Sequence, residues 1–257
     1  MYELIIIEKL IGLLRQAGRA ILDIYYGNFL VELKADHTPI TLADRNSNDI
    51  VTRGLYEYYP DIPVISEENE PVPFKLRRDW ACFWLLDPLD GTKEFIRKNG
   101  EFAINLALIE NGQPLLGMIY IPVTDTLYYA LTGKGCFKIS GDSGPVFLKI
   151  SAKNPQDKAI VVGSRSHLSA EVHTFVEKLR REFKEVELIQ MGSAIKFGLI
   201  AEGKADFYLR TGPTMEWDTA AGQVIVREVG KQIYDYKTGQ ALIYNKKDLT
   251  NPSFIVR

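Results

Sequence analysis

Acidic residues are concentrated at three places that lie far apart along this 257-residue chain. The three groups are Glu67-Glu68, the run Asp87-Pro88-Leu89-Asp90-Gly91-Thr92, and Trp217-Asp218. Because carboxylates repel one another, a fold that gathers several of them in one hollow generally does so around hard cations. Mg²⁺ is the expected ion, since it takes oxygen ligands and keeps coordination positions open for phosphate. The pattern therefore predicts metal-dependent chemistry on a phosphorylated small molecule.

The composition is that of an ordinary globular protein, with 46% hydrophobic and 25% charged residues. Its net charge of −2 argues against binding of polymeric nucleic acid through a general basic field. The two cysteines, Cys82 and Cys136, lie in apolar neighbourhoods without metal-type spacing, so we interpret them as buried thiols. We find no secretory signal and no apolar run of membrane-spanning length, and therefore expect a cytoplasmic protein.

The first segment predicts an amphipathic helix over residues 3–25, ended by Gly27. Its apolar stripe consists of Leu4, Ile7, Leu10, Ile11, Leu14, Ala17, Ile21 and Ile24. We favour packing of this stripe on a sheet, because the polar face mixes both charge signs. Peripheral attachment to the cytoplasmic side of the inner membrane stays an alternative.

The remaining pattern predicts two lobes, residues 1–150 and 151–257. In the first, a helix is expected from Thr41 to about Tyr59, then strands at 62–65, 83–86, 103–109 and 115–121, with a hairpin turn at Asn111-Gly112. The turn-rich stretch 140–145 predicts another hairpin tip. After it, strands at 159–162, 186–189 and 205–209 alternate with helices at about 169–183 and 194–202, and a last helix at about 219–229 precedes short strands. Such alternation is typical of an α/β lobe.

The run 87–92 carries the clearest chemistry. It follows the apolar strand 83–86, so we expect Asp87 at a strand end, where α/β proteins build sites. Pro88 stiffens the turn, so that Asp87 and Asp90 face cations from one side with the Leu89 carbonyl as a further oxygen ligand. Gly91-Thr92 allows close backbone approach to phosphate. A plain turn with capping aspartates explains the same motif about equally well.

Each of the other acidic residues also has a purely structural interpretation. Glu67-Glu68 is compatible with a solvated loop, and Asp218 with the N-cap of the last helix. Thr41-Leu42-Ala43-Asp44 matches a capping box, in which Asp44 only satisfies backbone donors. The direction of Glu216 stays open.

Taken in order, these motifs resemble the signature of the lithium-inhibited, Mg²⁺-dependent phosphatases. That superfamily includes inositol monophosphatases, fructose-1,6-bisphosphatases and bisphosphate nucleotidases. The stretch from Trp84 to Phe102, with Lys93-Glu94-Phe95 where inositol monophosphatases carry Thr-Asn-Phe, is most similar to bacterial 3′(2′),5′-bisphosphate nucleotidases of the CysQ type. The segments 164–167, 192–197 and 208–210 also resemble that group.

The resemblance implies a layered α/β (α+β) sandwich of alternating αβαβα layers, the sugar-phosphatase fold. It implies that two or three Mg²⁺ ions are bound by Glu67, Asp87, the Leu89 carbonyl, Asp90 and Asp218. Asp44 and Thr92 would orient and deprotonate a water. Substrate contacts are implied for Glu67, Leu89, Asp90, Gly91, Thr92, His167, Ser193, Lys196, Arg210 and Asp218. The first lobe would thus hold most metal ligands, and the second the nucleotide contacts and the last ligand.

The implied reaction is hydrolysis of the 3′-phosphate of adenosine 3′,5′-bisphosphate to AMP and phosphate, a recycling step in sulfur metabolism, with lithium sensitivity. 3′-Phosphoadenylyl sulfate is a further expected substrate. The alternatives are an inositol monophosphatase or sugar bisphosphate phosphatase, and a non-catalytic Mg²⁺-dependent nucleotide-binding protein. We expect a monomer or homodimer.

Overall fold

The computed structural model describes residues 6–34, 39–150, 157–166 and 168–257. Within these ranges the α-helices are α1 (Ile7–Tyr25), α2 (Leu42–Tyr58), α3 (Phe74–Arg77), α4 (Thr92–Ile96), α5 (Ala170–Leu179), α6 (Ile195–Ala201) and α7 (Glu216–Arg227). The strands are β1 (Val31–Leu33), β2 (Pro39–Thr41), β3 (Val64–Ser66), β4 (Cys82–Asp90), β5 (Ala103–Glu110), β6 (Gln113–Ile121), β7 (Thr126–Leu131), β8 (Gly135–Ser140), β9 (Val146–Leu148), β10 (Lys158–Ser164), β11 (Glu185–Met191), β12 (Phe207–Arg210), β13 (Ile233–Asp235) and β14 (Phe254–Val256).

Two large sheets organise the chain. One has seven strands in the order β3-β4-β5-β6-β7-β8-β9, and the other has five in the order β11-β10-β12-β14-β13. Strand β3 runs parallel to β4, and the remaining neighbours of the seven-stranded sheet are antiparallel. In the five-stranded sheet, β10 is parallel to both β11 and β12, whereas β14 is antiparallel to its neighbours.

Alternation of side chains along the strands divides the core into three hydrophobic layers. In β4, Trp84 and Leu86 pack against α1 and α2, whereas Phe83 and Leu85 face the interior between the sheets. In the five-stranded sheet, Val162 faces the same interior, and Val161 packs on the other side, towards α5. With α6 and α7 between the sheets, the order is helix, sheet, helix, sheet, helix, as predicted.

Small residues let α6 and α7 pack tightly in the middle layer. A Cβ atom on Gly222 of α7 would lie 2.3 Å from the Phe197 ring of α6, and one on Gly117 of β6 would lie 2.3 Å from the Ala221 carbonyl oxygen. The glycine that follows Asp218 by four residues therefore allows α7 to pack closely on α6.

Several local predictions are confirmed by the structure. Asn111 and Gly112 both have positive φ angles, 51° and 74°, as a two-residue hairpin turn requires. Residues 141–145 connect the antiparallel strands β8 and β9. The apolar stripe of α1 from Ile7 to Ile24 packs into the hydrophobic layer on the seven-stranded sheet, whereas Leu4 lies outside the described residues. No helix among the described residues is long and apolar enough to cross a membrane. The division into lobes at residue 150 stays a prediction, because the middle hydrophobic layer is shared by both sheets.

Other predictions about element bounds are wrong. Strand β4 does not end at Leu86 but continues to Asp90, because Asp87 pairs with Asn105 and Asp90 with Ala103 around a register shift at Pro88, which has no N–H to donate. Helix α5 ends at Leu179, since the following residues form separate turns, such as that closed by Glu182 N and the Leu179 carbonyl at 2.9 Å.

The last long helix was also misplaced. Helix α7 begins at Glu216, and its N-cap is Met215 rather than Asp218. The Asp218 carboxylate instead reaches back and accepts a hydrogen bond from Met215 N at 2.7 Å. Strands β7, β8 and β9 were not predicted.

Cys82 and Cys136 form no disulfide bond within the described residues. Cys136 is fully buried, as interpreted from the sequence, whereas Cys82 is only half-buried. Burial raises the pKa of Cys136 to about 12 and that of Cys82 to about 11.

Candidate active site

Three acidic residues from distant parts of the chain meet at one end of the seven-stranded sheet. Glu67 follows β3, Asp87 lies in the adjacent β4, and Asp218 lies in the first turn of α7. Each offers a carboxylate oxygen, and the three oxygens lie within 4.8 Å of one another. The parallel pairing of β3 with β4 brings the first two together, and Glu67 N donates to the Leu86 carbonyl at 3.1 Å.

Charge repulsion in this cluster is strong. Burial, and then repulsion from Glu67, Asp90 and Asp218, raises the pKa of Asp87 well above its usual range. Burial and repulsion from Asp90 and Glu67 likewise raise the pKa of Asp218. Asp87 is only 2% exposed, and the nearby Leu89 N–H donates to it at 3.1 Å. Carboxylate oxygens that lie this close together, with little positive charge to balance them, suit the binding of a hard divalent cation.

Asp90 lies beside the cluster, and one of its oxygens is already engaged. Asp90 Oδ2 accepts hydrogen bonds from Ser193 Oγ at 2.8 Å, Ala194 N at 2.5 Å and Asn105 Nδ2 at 3.3 Å. The Ser193 and Ala194 contacts cross from the seven-stranded sheet to the start of α6. Asp90 Oδ1 is therefore the oxygen that could bind a metal. The hydrogen bonds to Oδ2 fix the position of Ser193.

Asp44 caps α2 and also contacts Thr92 of the acidic run. Its Oδ2 accepts from Thr41 N at 2.7 Å and from Thr41 Oγ1 at 2.6 Å, which confirms the capping box of α2. Its Oδ1 accepts from Thr92 Oγ1 at 3.0 Å. The carboxylate is 1% exposed, and burial raises its pKa.

Thr92 begins α4 directly after Gly91, whose φ of 94° favours glycine. Besides Asp44, the Thr92 hydroxyl lies 3.3 Å from the Leu89 carbonyl oxygen. The hydroxyl is therefore held between the acidic run and the buried carboxylate of α2.

Three polar side chains at the site were missed by the sequence analysis. Lys34 lies between Glu67 and Glu68, with Nζ 2.9 Å and 2.6 Å from their Oε1 atoms. Burial alone would lower the pKa of Lys34, but these two carboxylates outweigh it and raise the pKa. Ser47 Oγ of α2 donates to the Pro88 carbonyl at 2.7 Å, and Asn105 contacts Asp90 as described. Only packing brings these residues to the acidic run.

A cavity of about 290 Å³ opens beside the acidic cluster. Its walls include Glu67, Asp87, Asp90, Gly91, Thr92, Ser193, Lys196, Arg210 and Asp218, all predicted site residues. Leu89 and Asp44 do not line the cavity but contact its wall residue Thr92, and His167 lies outside the described residues.

Two cationic side chains form part of this cavity. Lys196 is 4% exposed, and burial, only partly opposed by the charge of Asp90, lowers the pKa of its ammonium to about 8. The ammonium donates to the carbonyl oxygens of Met191, at 3.2 Å, and Ser193. Arg210 donates from one terminal nitrogen to the Pro213 carbonyl at 3.3 Å, while its Nε is buried without a hydrogen-bond partner. Such an unsatisfied donor favours an anionic ligand.

Glu216, whose direction the sequence left open, points away from the cavity. It is fully buried and accepts from Asn245 N at 2.7 Å, Lys246 N at 3.0 Å and Lys246 Nζ at 2.6 Å. Asn251 Nδ2 donates to the Met215 carbonyl at 2.6 Å. These bonds attach the first turn of α7, which carries Asp218, to the loop before β14.

The chain is similar to known proteins over nearly its whole length. The sequence pattern of the inositol monophosphatase family matches residues 5–256. The chain is 41% identical over 253 residues to the 3′(2′),5′-bisphosphate nucleotidase CysQ of Salmonella typhimurium, covering 97% of this chain and 98% of that protein. The CysQ protein of Escherichia coli K12 is 39% identical over the same shares of both chains. The crystal structure of CysQ from Bacteroides thetaiotaomicron, described as a bacterial member of the inositol monophosphatase family, superimposes with a TM-score of 0.86 at 41% identity, covering 97% of this chain and 96% of that one.

Proposed function

This chain belongs to the inositol monophosphatase family, and we propose that it is a 3′(2′),5′-bisphosphate nucleotidase that hydrolyses the 3′-phosphate of adenosine 3′,5′-bisphosphate. Water adds to phosphorus as the bond to the ribose 3′-oxygen breaks, that oxygen takes up a proton from solvent, and AMP and inorganic phosphate leave. 3′-Phosphoadenylyl sulfate, which has the same 3′-phosphate, is the second proposed substrate. The supporting observation is that a carboxylate cluster and two cationic side chains line one cavity.

The proposed cofactor is Mg²⁺, with two or three ions. Glu67, Asp87, Asp90, Asp218 and the Leu89 carbonyl are the oxygen donors that would hold them, and the mutual repulsion at Asp87 and Asp218 supports this assignment. When bound, Mg²⁺ neutralises phosphate charge, stabilises the departing oxygen and lowers the pKa of water. Lys34 supplies one positive charge beside Glu67.

Asp44 and Thr92 are the proposed catalytic pair. The Thr92 proton is directed to Asp44 Oδ1, so an oxygen lone pair of the hydroxyl remains to accept a hydrogen bond from the attacking water. As the water attacks, its proton passes to Thr92 while the Thr92 proton passes to Asp44. Thr41 keeps the acceptor in place through Oδ2. Attack is direct and in line, without a covalent enzyme intermediate.

The remainder of the cavity would bind the nucleotide. Arg210, with its unpaired buried Nε, and Lys196 suit the 5′-phosphate or the adjacent ribose. Ser193 and His167 are the further proposed nucleotide contacts. A cavity of about 290 Å³ is near the lower end, about 300 Å³, of small-molecule sites.

Two alternatives predict different substrates or no turnover. An inositol monophosphatase or sugar bisphosphate phosphatase would use the same carboxylates but would not need the positive charges of Lys196 and Arg210 in the cavity. A non-catalytic nucleotide-binding protein would not need the Asp44–Thr92 hydrogen bond, which is intact at 3.0 Å.

The test is phosphate release from adenosine 3′,5′-bisphosphate, 3′-phosphoadenylyl sulfate, inositol 1-phosphate and fructose 1,6-bisphosphate, each with Mg²⁺ and with excess chelator. We expect Mg²⁺-dependent release with the highest kcat/KM for the adenosine bisphosphate. A higher kcat/KM for inositol 1-phosphate would reject the substrate proposal. Tight nucleotide binding without phosphate release would reject the proposed activity.

A further inference from the structure

Two carboxylates to which the proposed chemistry assigns no role, Glu94 and Glu101, connect the two sheets at the cavity. Glu94 lies in α4, two residues after Thr92, and is 3% exposed. Glu101 lies in the loop between α4 and β5, and its side chain is 16% exposed. Both face the ends of β10 and β11 in the five-stranded sheet.

Glu94 holds the loop that follows β10. Its Oε1 accepts a short hydrogen bond from Ser166 Oγ, and its Oε2 accepts one from Asn99 Nδ2. Arg97 bridges the same pair, with one guanidinium nitrogen 2.8 Å from Ser166 Oγ and 3.5 Å from Glu94 Oε1. Glu94 and Ser166 both line the cavity, so this contact lies in its wall.

Glu101 holds the ends of β10 and β11 together. Arg165 donates to it through Nε and a terminal nitrogen, both at 2.6 Å, in a bidentate pair. Glu101 Oε2 also accepts from Gly192 N at 2.7 Å, immediately before Ser193. The terminal nitrogen of Arg165 that contacts Glu101 also donates to the Gln190 carbonyl at 3.0 Å.

Gly192, which follows β11, lies very close to Glu94 and Glu101. A Cβ on Gly192 would lie 2.8 Å from both the Glu101 carbonyl oxygen and Glu94 Cγ, distances that real Cβ atoms essentially never show. Ser193, which follows, has a φ of 54° and donates to Asp90. The segment 192–193 is therefore held from both sides, and its position sets one boundary of the cavity.

We propose that Glu94 and Glu101 are positioning residues that set the width of the cavity and thereby select for a nucleoside-bearing phosphate ester. Glu94 acts through Ser166, and Glu101 acts through Arg165 and Gly192. The inference rests on the proposed function. Neither carboxylate belongs to the cluster of Glu67, Asp87 and Asp218, so we expect their substitution to change nucleotide binding more than metal binding.

The test compares Glu94→Gln, Glu101→Gln and Arg165→Met with the unmodified protein. For each variant we expect the KM for adenosine 3′,5′-bisphosphate and the Kd for AMP, measured by calorimetry, to rise about tenfold, the factor for loss of one charge-assisted hydrogen bond. We expect kcat and the Mg²⁺ concentration for half-maximal rate to stay within about twofold, because the carboxylates proposed to bind Mg²⁺ are not substituted. The Glu101→Gln/Arg165→Met double variant should be no weaker than the worse single variant, since the two residues act as one unit.

Glu177→Gln is the matched control, because Glu177 of α5 forms an exposed ion pair with Arg180 and does not line the cavity. It should leave KM, kcat and AMP binding unchanged. Thermal unfolding of every variant separates positioning from loss of fold. Unchanged KM and Kd in the folded variants, or a fall in kcat alone, would overturn the inference.

The proposed function and this inference fail differently. If the unmodified protein releases no phosphate from the nucleotide, the proposed function is rejected. If it does, and the variants keep its KM and AMP affinity, only the positioning role is rejected. A variant that does not fold is replaced by Ser166→Ala. This substitution removes the hydroxyl that donates to Glu94 and changes only a small side chain, so it should show the same rise in KM.

Discussion

The Thr92 hydroxyl donates to Asp44 Oδ1 at 3.0 Å, while the other oxygen of this carboxylate is held by the backbone and hydroxyl of Thr41. One side chain thus caps a helix and orients a hydroxyl at the acidic cluster. Asn at position 44 could keep the cap but could not take a proton.

For Asp44→Asn we therefore expect kcat to fall by about 10²–10⁴ with little change in KM or circular dichroism. Ser169→Ala is the control. It removes the N-cap of α5, where Ser169 Oγ accepts from Val172 N at 3.4 Å, and should cost about 1 kcal/mol of unfolding free energy without lowering kcat. Normal turnover in Asp44→Asn would remove Asp44 from the reaction.

Asp87→Asn should separate stability from activity. Burial, and then repulsion from Glu67, Asp90 and Asp218, raises the pKa of Asp87, so its charged form destabilises the metal-free fold near neutral pH. Without metal, we expect the variant to have a higher Tm than the unmodified protein. We also expect it to lose most of the Mg²⁺-dependent rise in Tm and to release phosphate orders of magnitude more slowly. An undiminished Mg²⁺-dependent Tm rise in the variant would exclude Asp87 as a ligand.

Lys196→Met should improve stability and weaken binding. Burial lowers the pKa of Lys196 from 10.5 to about 8, so the folded state binds this proton less well than the unfolded state. The stability cost of the charged ammonium is complete below pH 8 and disappears as the pH rises past 10.5. We expect the variant to raise Tm at pH 7, with a gain that shrinks between pH 8 and 10.5, and to raise the KM for the nucleotide. A gain in Tm that does not change with pH would contradict this explanation.

The Glu216–Lys246 pair predicts a ranking of stabilities. Lys246→Met leaves Glu216, which is 0% exposed, with only backbone donors, and should cost about 3–5 kcal/mol. Glu216→Gln should cost less, since the Lys246 side chain is 24% exposed and can turn towards solvent. The exposed pair of Glu177 and Arg180 is the control, and Glu177→Gln should change stability by less than about 1 kcal/mol. Denaturant unfolding measures all three, and equal losses at Glu216 and Glu177 would refute the ranking.

Two glycine substitutions should have opposite effects. Gly222→Ala places a methyl group 2.3 Å from the Phe197 ring, so α6 and α7 must separate, and we expect a loss of about 1–3 kcal/mol. Gly12→Ala lies in α1 with no atom within 4 Å of the new Cβ, and should stabilise by about 0.5–1 kcal/mol. Unfolding curves decide between them. If Gly222→Ala lost no stability, the tight contact of the two helices would not matter energetically.

Features that depend on a few neighbouring residues were readable from the sequence. The capping box at Thr41 and Asp44, the Asn111-Gly112 turn and the buried stripe of α1 all follow from local hydrogen bonding or periodicity. The acidic motifs were recognised for the same reason, since each is a short run with its own composition. At Asp218 the residue type was typical of an N-cap, but the helix begins before it, so the predicted helix start was wrong.

Residue types and local geometry thus determined which side chains could do the chemistry. Only the tertiary structure decided which of them meet and what each contacts: Lys34 beside Glu67 and Glu68, Lys246 against Glu216, and Glu101 against Arg165 and Gly192. The physical reason is that these contacts join residues far apart in the chain. They form only when the helices and sheets of the whole fold pack together, and a short stretch of sequence carries no information about which distant residues will meet.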